Sequence, residues 1–219
     1  MSQPVAFFDV DHTLIEIQSM LSFLEYYYRV SAREARYQQA LTHLQAIKEA
    51  GASREVLNLD FYALLEGESW SDLHLVGQCW FTQCRISDHL IPETLACLQQ
   101  HRQEGALIVL VSGSFTPCLD PLVAMIRPDA VLCTELACRS GRLTGRVEQQ
   151  VIGQGKVTAI TEWMAGRGID LQKSHAYGDD ISDVPMLELV GYPVVVGHNP
   201  ELRELARHKG WRTLHNTRG

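Results

Sequence analysis

The chain has 219 residues, 46% of them hydrophobic and 21% charged, with a net charge of −7. A chain of this size forms one sizeable domain, or a core carrying a smaller inserted unit. The acidic balance, with no basic stripe interleaved with aromatics, argues against non-specific binding to nucleic acid or an anionic membrane, and no apolar run approaches the roughly 20 residues that a spanning helix needs.

In chain order, residues 5–9 (VAFFD) are a continuous apolar run ending in a carboxylate, as expected of a strand buried on both faces of a parallel sheet. The run starts at Val5, which leaves no room for a signal peptide ahead of it, so the expected compartment is a reducing cytoplasm. Similar runs recur at 106–111 (ALIVLV), 130–134 (AVLCT), 174–177 (SHAY) and 192–196 (YPVVV). Helical patterns lie between the later runs, and the alternation predicts an α/β fold with a doubly wound parallel sheet. Ligands in such sheets bind beyond the carboxyl ends of the strands.

The interval between the first and second strands is far too long for an ordinary crossover. Ser31-Ala-Arg-Glu34 has the spacing of a capping box opening a helix that Gly51 can close, and Ser69-Trp-Ser-Asp72 marks a second helix start. Leu73, Val76, Trp80 and Phe81 follow at helical spacing; these residues and Tyr26, Tyr27 and Tyr28 read as packing. The interval predicts an inserted helical cap at 15–87, on a core formed by 1–14 and 88–219. A shorter insertion at 134–150 alternates around Ser140-Gly141 and predicts a β-hairpin flap. Near the end, Asn199-Pro200 starts a helix that Gly210 terminates. Six cysteines (Cys79, Cys84, Cys97, Cys118, Cys133 and Cys138) show no CxxC spacing and are expected to be reduced and to behave as small, half-buried hydrophobes.

Four segments fall at strand ends or helix starts: Asp9-Val-Asp11-His-Thr13, Ser112-Gly-Ser114, Lys156 in GQGKV, and Gly178-Asp179-Asp180-Ile-Ser182-Asp183. Phosphoryl transfer to a carboxylate needs this set of groups. The repulsion between a carboxylate and a phosphate must be neutralised, and a divalent cation with hard oxygen ligands does so. Asp9 and Asp179 can supply ligands to Mg²⁺ from neighbouring strand ends. Ser112 and Gly113 can hold phosphate oxygens near a helix N-terminus, and Lys156 adds fixed positive charge. A second carboxylate two residues after the first, Asp11, can protonate the leaving oxygen. Asp180 reads as a cap.

In these motifs and their order the chain resembles the haloacid dehalogenase superfamily, in its phosphoserine phosphatase-like branch (subfamily IB). The resemblance covers core, cap, flap and last helix. It implies a Mg²⁺-dependent phosphomonoester hydrolase acting on a small phosphorylated metabolite through an aspartyl phosphate. By the same resemblance Asp9 is the nucleophile and Asp11 the general acid/base, lending its backbone carbonyl to the metal. Thr13 supports the loop, Ser112 and Gly113 bind phosphate, Lys156 steadies nucleophile and phosphate, Asp179 ligates Mg²⁺ and Asp183 orders the metal site. Ser182 stands where the branch often has Asn and is assigned to phosphate binding. Gln18 replaces the Glu that reads the substrate ammonium in phosphoserine phosphatases, so a substrate without an ammonium is expected unless Glu16 or Glu25 takes over that task. His12 replaces the usual Ser or Gly.

A phosphotransferase, passing the group to an alcohol, would use the same residues. A phosphorylatable signalling domain combines similar groups but carries its accepting Asp on a middle strand and lacks a large cap. The residues leave open which phosphomonoester is used, phosphoserine and histidinol phosphate among them, and the oligomeric state.

Overall fold

The computed structural model describes residues 3–215. Its centre is a six-stranded sheet of β1 (Val5–Phe8), β2 (Leu107–Ser112), β3 (Ala130–Cys133), β6 (His175–Gly178), β7 (Tyr192–Val196) and β8 (Arg212–Leu214). The strands lie in the order β3-β2-β1-β6-β7-β8, every pair parallel. Residues alternate between the faces, as the twofold period of a strand demands. Phe7, Val109, Val111, Ala176 and Val195 join one buried cluster, and Phe8, Ile108, Leu110, Tyr177 and Val194 join the other. The expected doubly wound sheet is present, with β8 as an edge strand that the sequence pattern did not single out.

Helices α5 (Pro92–Gln103), α6 (Thr116–Ile126), α7 (Gln154–Met164), α8 (Val184–Glu188) and α9 (Pro200–Lys209) flank this sheet. Asn199 caps α9 by accepting from the Leu202 amide, and Gly210 ends the helix in the left-handed region at φ 68°. The flap is an antiparallel pair, β4 (Glu135–Arg139) and β5 (Arg142–Gln149). Ser140 and Gly141 both have positive φ in the turn between them, which matches the twist of a two-residue hairpin.

The long interval is entirely helical between its connecting turns: α1 (Ser19–Val30), α2 (Glu34–Glu49), α3 (Arg54–Ala63) and α4 (Trp70–Gln83). The chain enters and leaves it side by side, with Ile15 and Leu90 forming an antiparallel bridge. The bridge brings the two ends of the helical interval together; of the expected core at 1–14 and 88–219, residues 1–2 and 216–219 lie outside the described residues. Tyr26, Tyr27, Tyr28, Leu73 and Trp80 are buried in one cluster with Phe115 and Cys118 of the core, as their packing role requires. Helix α4 is pressed onto α6 where Gly77 meets Pro117: a Cβ at Gly77 would stand 1.9 Å from the Pro117 carbonyl oxygen.

One expected boundary is corrected. Ser31 does not open α2; it closes α1, its hydroxyl donating back to the Tyr27 carbonyl at 2.6 Å. Ala32 then turns through positive φ and α2 begins at Glu34 without a side-chain cap. Ser and Thr bond back to preceding carbonyls as readily as they cap. The Ser69 cap of α4 and the closure of α2 near Gly51 are as expected. No cysteine is paired; Cys118 is buried, Cys79 and Cys138 are exposed, and the others lie between.

At the start of β6, the His101 and His175 rings pack with centroids 4.3 Å apart, and His101 Nε2 meets the Tyr177 hydroxyl at 2.8 Å. Burial, with His101 and Arg212 close by, pushes His175 down to about 4. The folded state therefore binds fewer protons than the unfolded one between that value and the ordinary value of 6.5. Its contribution to stability is complete above 6.5 and lost as the pH falls toward about 4. Urea unfolding at pH 7 and pH 5 should show a smaller acid loss for His175→Phe than for the parent chain. An unchanged loss would contradict this role for His175.

Candidate active site

The carboxyl ends of the central strands deliver the acidic residues. Asp9 follows β1, its amide donating to the Tyr177 carbonyl at 3.0 Å, and Ser112 ends β2. Asp179 follows Gly178 of β6, and Lys156 is in the first turn of α7. Gly178 permits the close turn that brings Asp183 back: a Cβ there would lie 2.6 Å from the Asp183 Cβ.

Lys156, only 2% exposed, donates from Nζ to Asp9 Oδ1 at 2.5 Å and to Asp183 Oδ1 at 2.7 Å. Burial works against this ammonium, but Asp183 and Asp9 outweigh it and raise its pKa. The other oxygen of Asp183 accepts the amides of Asp179 and Asp180 at 3.0 and 3.1 Å, and Thr13 Oγ1 donates to Asp179 Oδ1 at 3.2 Å. Asp9, Asp179 and Asp183 each offer a carboxylate oxygen within 4.8 Å of the others. Burial, then Asp9 and Asp183, push Asp179 up to about 9. Burial and Asp183 raise Asp9 against the pull of Lys156. The cluster holds more carboxylates than cations, and its chemistry suits a hard divalent ion.

The Asp11 carboxylate stands outside this trio. Its Oδ2 accepts the Ser19 amide at 3.0 Å, while its buried Oδ1 has no hydrogen-bond partner among the described residues. Burial raises this carboxyl, against the hydrogen bonds from Ser19.

Ser112 Oγ accepts the Ser114 amide at 3.1 Å, which leaves its own proton available to a ligand. The Gly113 carbonyl accepts from Tyr62 at 2.7 Å, and from Asn58 and Thr134 at 3.0 Å each. Two of these donors come from α3, so a helix of the long insertion fixes the loop that follows β2.

Nine of the residues singled out from the sequence line one pocket: Asp9, Asp11, Gln18, Ser112, Gly113, Lys156, Asp179, Ser182 and Asp183. Gln18 sits immediately before α1 and makes no capping bond. Ser182 lines the wall, but its amide and hydroxyl both donate to Asp180 Oδ1, at 3.0 and 2.8 Å. As placed, it offers phosphate no free donor. Asp180 is a cap, as expected, and faces Arg54 at 3.6 Å. Neither Glu16 nor Glu25 is among the pocket-lining residues, and Glu25 is exposed.

Sequence reasoning missed Arg54, Asn58 and Tyr62. They recur every four residues along α3 and form one stripe, a signal that was readable once α3 was recognised as a helix. Lys48, at the end of α2, was missed as well; it also lines the pocket.

Residues 6–188 match the model of the haloacid dehalogenase-like hydrolases. A phosphoserine phosphatase of Mycobacterium tuberculosis is 29% identical over 94% of this chain and 68% of its own length. A histidinol-phosphatase of Neisseria meningitidis is 25% identical over 96% of this chain and 97% of its own. Among solved structures, a protein of unknown function from Bordetella pertussis Tohama I superposes with a TM-score of 0.87 at 27% identity, covering 98% of this chain and 99% of that one. The chain belongs to the haloacid dehalogenase-like hydrolase family, in its phosphoserine phosphatase-like branch, and is an enzyme of the phosphatase class.

Removing the Tyr62 hydroxyl takes one donor from the Gly113 carbonyl and leaves the other two. Tyr62→Phe should lower unfolding stability by about 1 kcal/mol, the usual worth of one buried hydrogen bond. It should also raise KM more than it lowers kcat, because the loop loses definition while Asp9 is untouched. Chemical denaturation with steady-state kinetics checks both; a variant with parent stability and KM would show that α3 does not hold the loop.

Proposed function

We propose that this enzyme hydrolyses a small phosphomonoester by way of an aspartyl phosphate on Asp9. The observation that carries the reading is the setting of Asp9. A buried Lys156 grips one of its oxygens, and it shares a pocket with Ser112, Gly113 and an unpartnered oxygen of Asp11. In this reading the second oxygen of Asp9 attacks phosphorus. Asp11, whose carboxyl is raised by burial, delivers its proton to the departing alcohol oxygen. Asp11 then takes a proton from the water that attacks the acyl phosphate, which returns both carboxyls to their starting states. Ser112 and the Gly113 amide hold the non-bridging oxygens, and Lys156 balances charge at Asp9 throughout.

Asp9, Asp179 and Asp183, with the backbone carbonyl of Asp11, are the groups that would hold Mg²⁺. The ion would supply positive charge against the phosphate, and the raised Asp9 and Asp179 carboxyls mark a site short of such charge. The names of the two relatives, which act on phosphoserine and histidinol phosphate, support a small phosphorylated metabolite as substrate.

Phosphate release from p-nitrophenyl phosphate should require Mg²⁺ and vanish in Asp9→Asn, with circular dichroism checking that the variant is folded. Mg²⁺ should also raise the parent midpoint, since an ion bound only by the folded state stabilises it, and raise it less in Asp179→Asn. Asp9→Asn turnover within about tenfold of the parent, only ~1.4 kcal/mol of barrier, would place the nucleophile elsewhere. Full activity after removal of metal would exclude Mg²⁺.

A further inference from the structure

The pocket has two chemically distinct halves. Its carboxylates (Asp9, Asp11, Asp179, Asp180 and Asp183) all come from the loops after β1 and β6. The half built by α1, α2 and α3 is walled by Leu21, Leu41, Leu44, Leu57 and Phe61 and contributes no carboxylate. Its charged members are Lys48 and Arg54, both cations. Arg54 faces Asp180, whereas Lys48 is exposed and forms no ion pair among the described residues. Gln45, beside it, donates its amide to Glu49, which is not a pocket-lining residue.

Resting on the phosphatase reading above, we propose that this half takes an apolar substrate body with an anionic group at the end remote from the phosphate. An ammonium there would lose water and meet Lys48, with no carboxylate from these helices to receive it and Asp180 already paired with Arg54. An apolar chain instead covers Leu41, Leu44, Leu57 and Phe61, and a terminal carboxylate reaches Lys48, the one unpaired charge on that rim. The attraction is weak while the rim is open to water and grows as the ligand excludes it. The chemical class is thus a phosphomonoester of an apolar hydroxy acid, in contrast to the amine-bearing substrates named for the two relatives.

The test uses three series of alkyl phosphates of matched chain lengths, ending in methyl, carboxylate or ammonium, with the whole chain and Mg²⁺. In the methyl series kcat/KM should rise with length. At the best length the carboxylate ester should exceed the ammonium ester by about tenfold, the scale of one favourable contact exchanged for one repulsive one. Lys48→Glu, a change on an exposed helix position, should invert that ratio, and a ratio within one variant does not depend on how much of it is folded. Equal or preferred hydrolysis of the ammonium series by the parent, or a ratio unmoved by Lys48→Glu, would overturn the substrate class while leaving the phosphatase reading intact. Failure to hydrolyse p-nitrophenyl phosphate as well would remove that reading, and this proposal with it.

Discussion

Lys156 is a positive charge sealed between two carboxylates, Asp9 and Asp183, and the geometry of the site follows from that burial. A charge out of water must be paired, and breaking such a pair leaves its partners stranded at a cost of about 3–5 kcal/mol. The lysine therefore fixes the rotamers of both carboxylates. Asp183 in turn accepts two amides of the loop after β6, which sets the position of Asp179. One ammonium thus ties α7, the end of β1 and the end of β6 into a single unit. It neutralises only part of the negative charge it gathers, and a divalent ion would balance the remainder.

A second constraint couples the helical insertion to this unit. Helix α4 is locked on α6 through the missing side chain of Gly77, and α3 holds the Gly113 carbonyl through Asn58 and Tyr62. The Tyr27 hydroxyl and a bidentate Arg33 converge on the buried Glu68, which ties α1 and α2 to the segment before α4. Hydrogen bonds from Arg33 and Tyr27 hold the Glu68 carboxyl below its ordinary range even though burial pushes it up. The apolar wall of the pocket is therefore carried on helices with fixed positions relative to the loop that follows β2.

Much of this was legible in the sequence, for identifiable reasons. Strands buried on both faces read as unbroken apolar runs, and the residues that end them (Asp9, Ser112 and Asp179) stand out because polar groups there have no packing function. Lys156 was legible only in company, since a lone lysine at a helix start is ordinary. The helices were harder. Ser31 has the spacing of a capping box, yet its hydroxyl turns back on α1, a choice that depends on the chain reversal at Ala32. Helices α1 and α3 carry polar and aromatic groups on the faces turned inward, so their apolar periodicity is blurred where Asn58 and Tyr62 point at the core. The three-residue strand β8 is too short to leave a pattern. Ser182 looked like a phosphate ligand by position, but its donors are consumed by Asp180, a bond that its place in the sequence does not reveal.

The central claim, that Asp9 carries the phosphoryl group, is tested most directly by trapping it. Asp11→Asn keeps the nucleophile but lacks the base that activates water, so the acyl phosphate should accumulate when a substrate with a good leaving group is supplied. After acid quench, peptide mass spectrometry should find one added phosphoryl group, on Asp9. A phosphoryl group on another residue, or rapid turnover by Asp11→Asn with no adduct, would contradict the account.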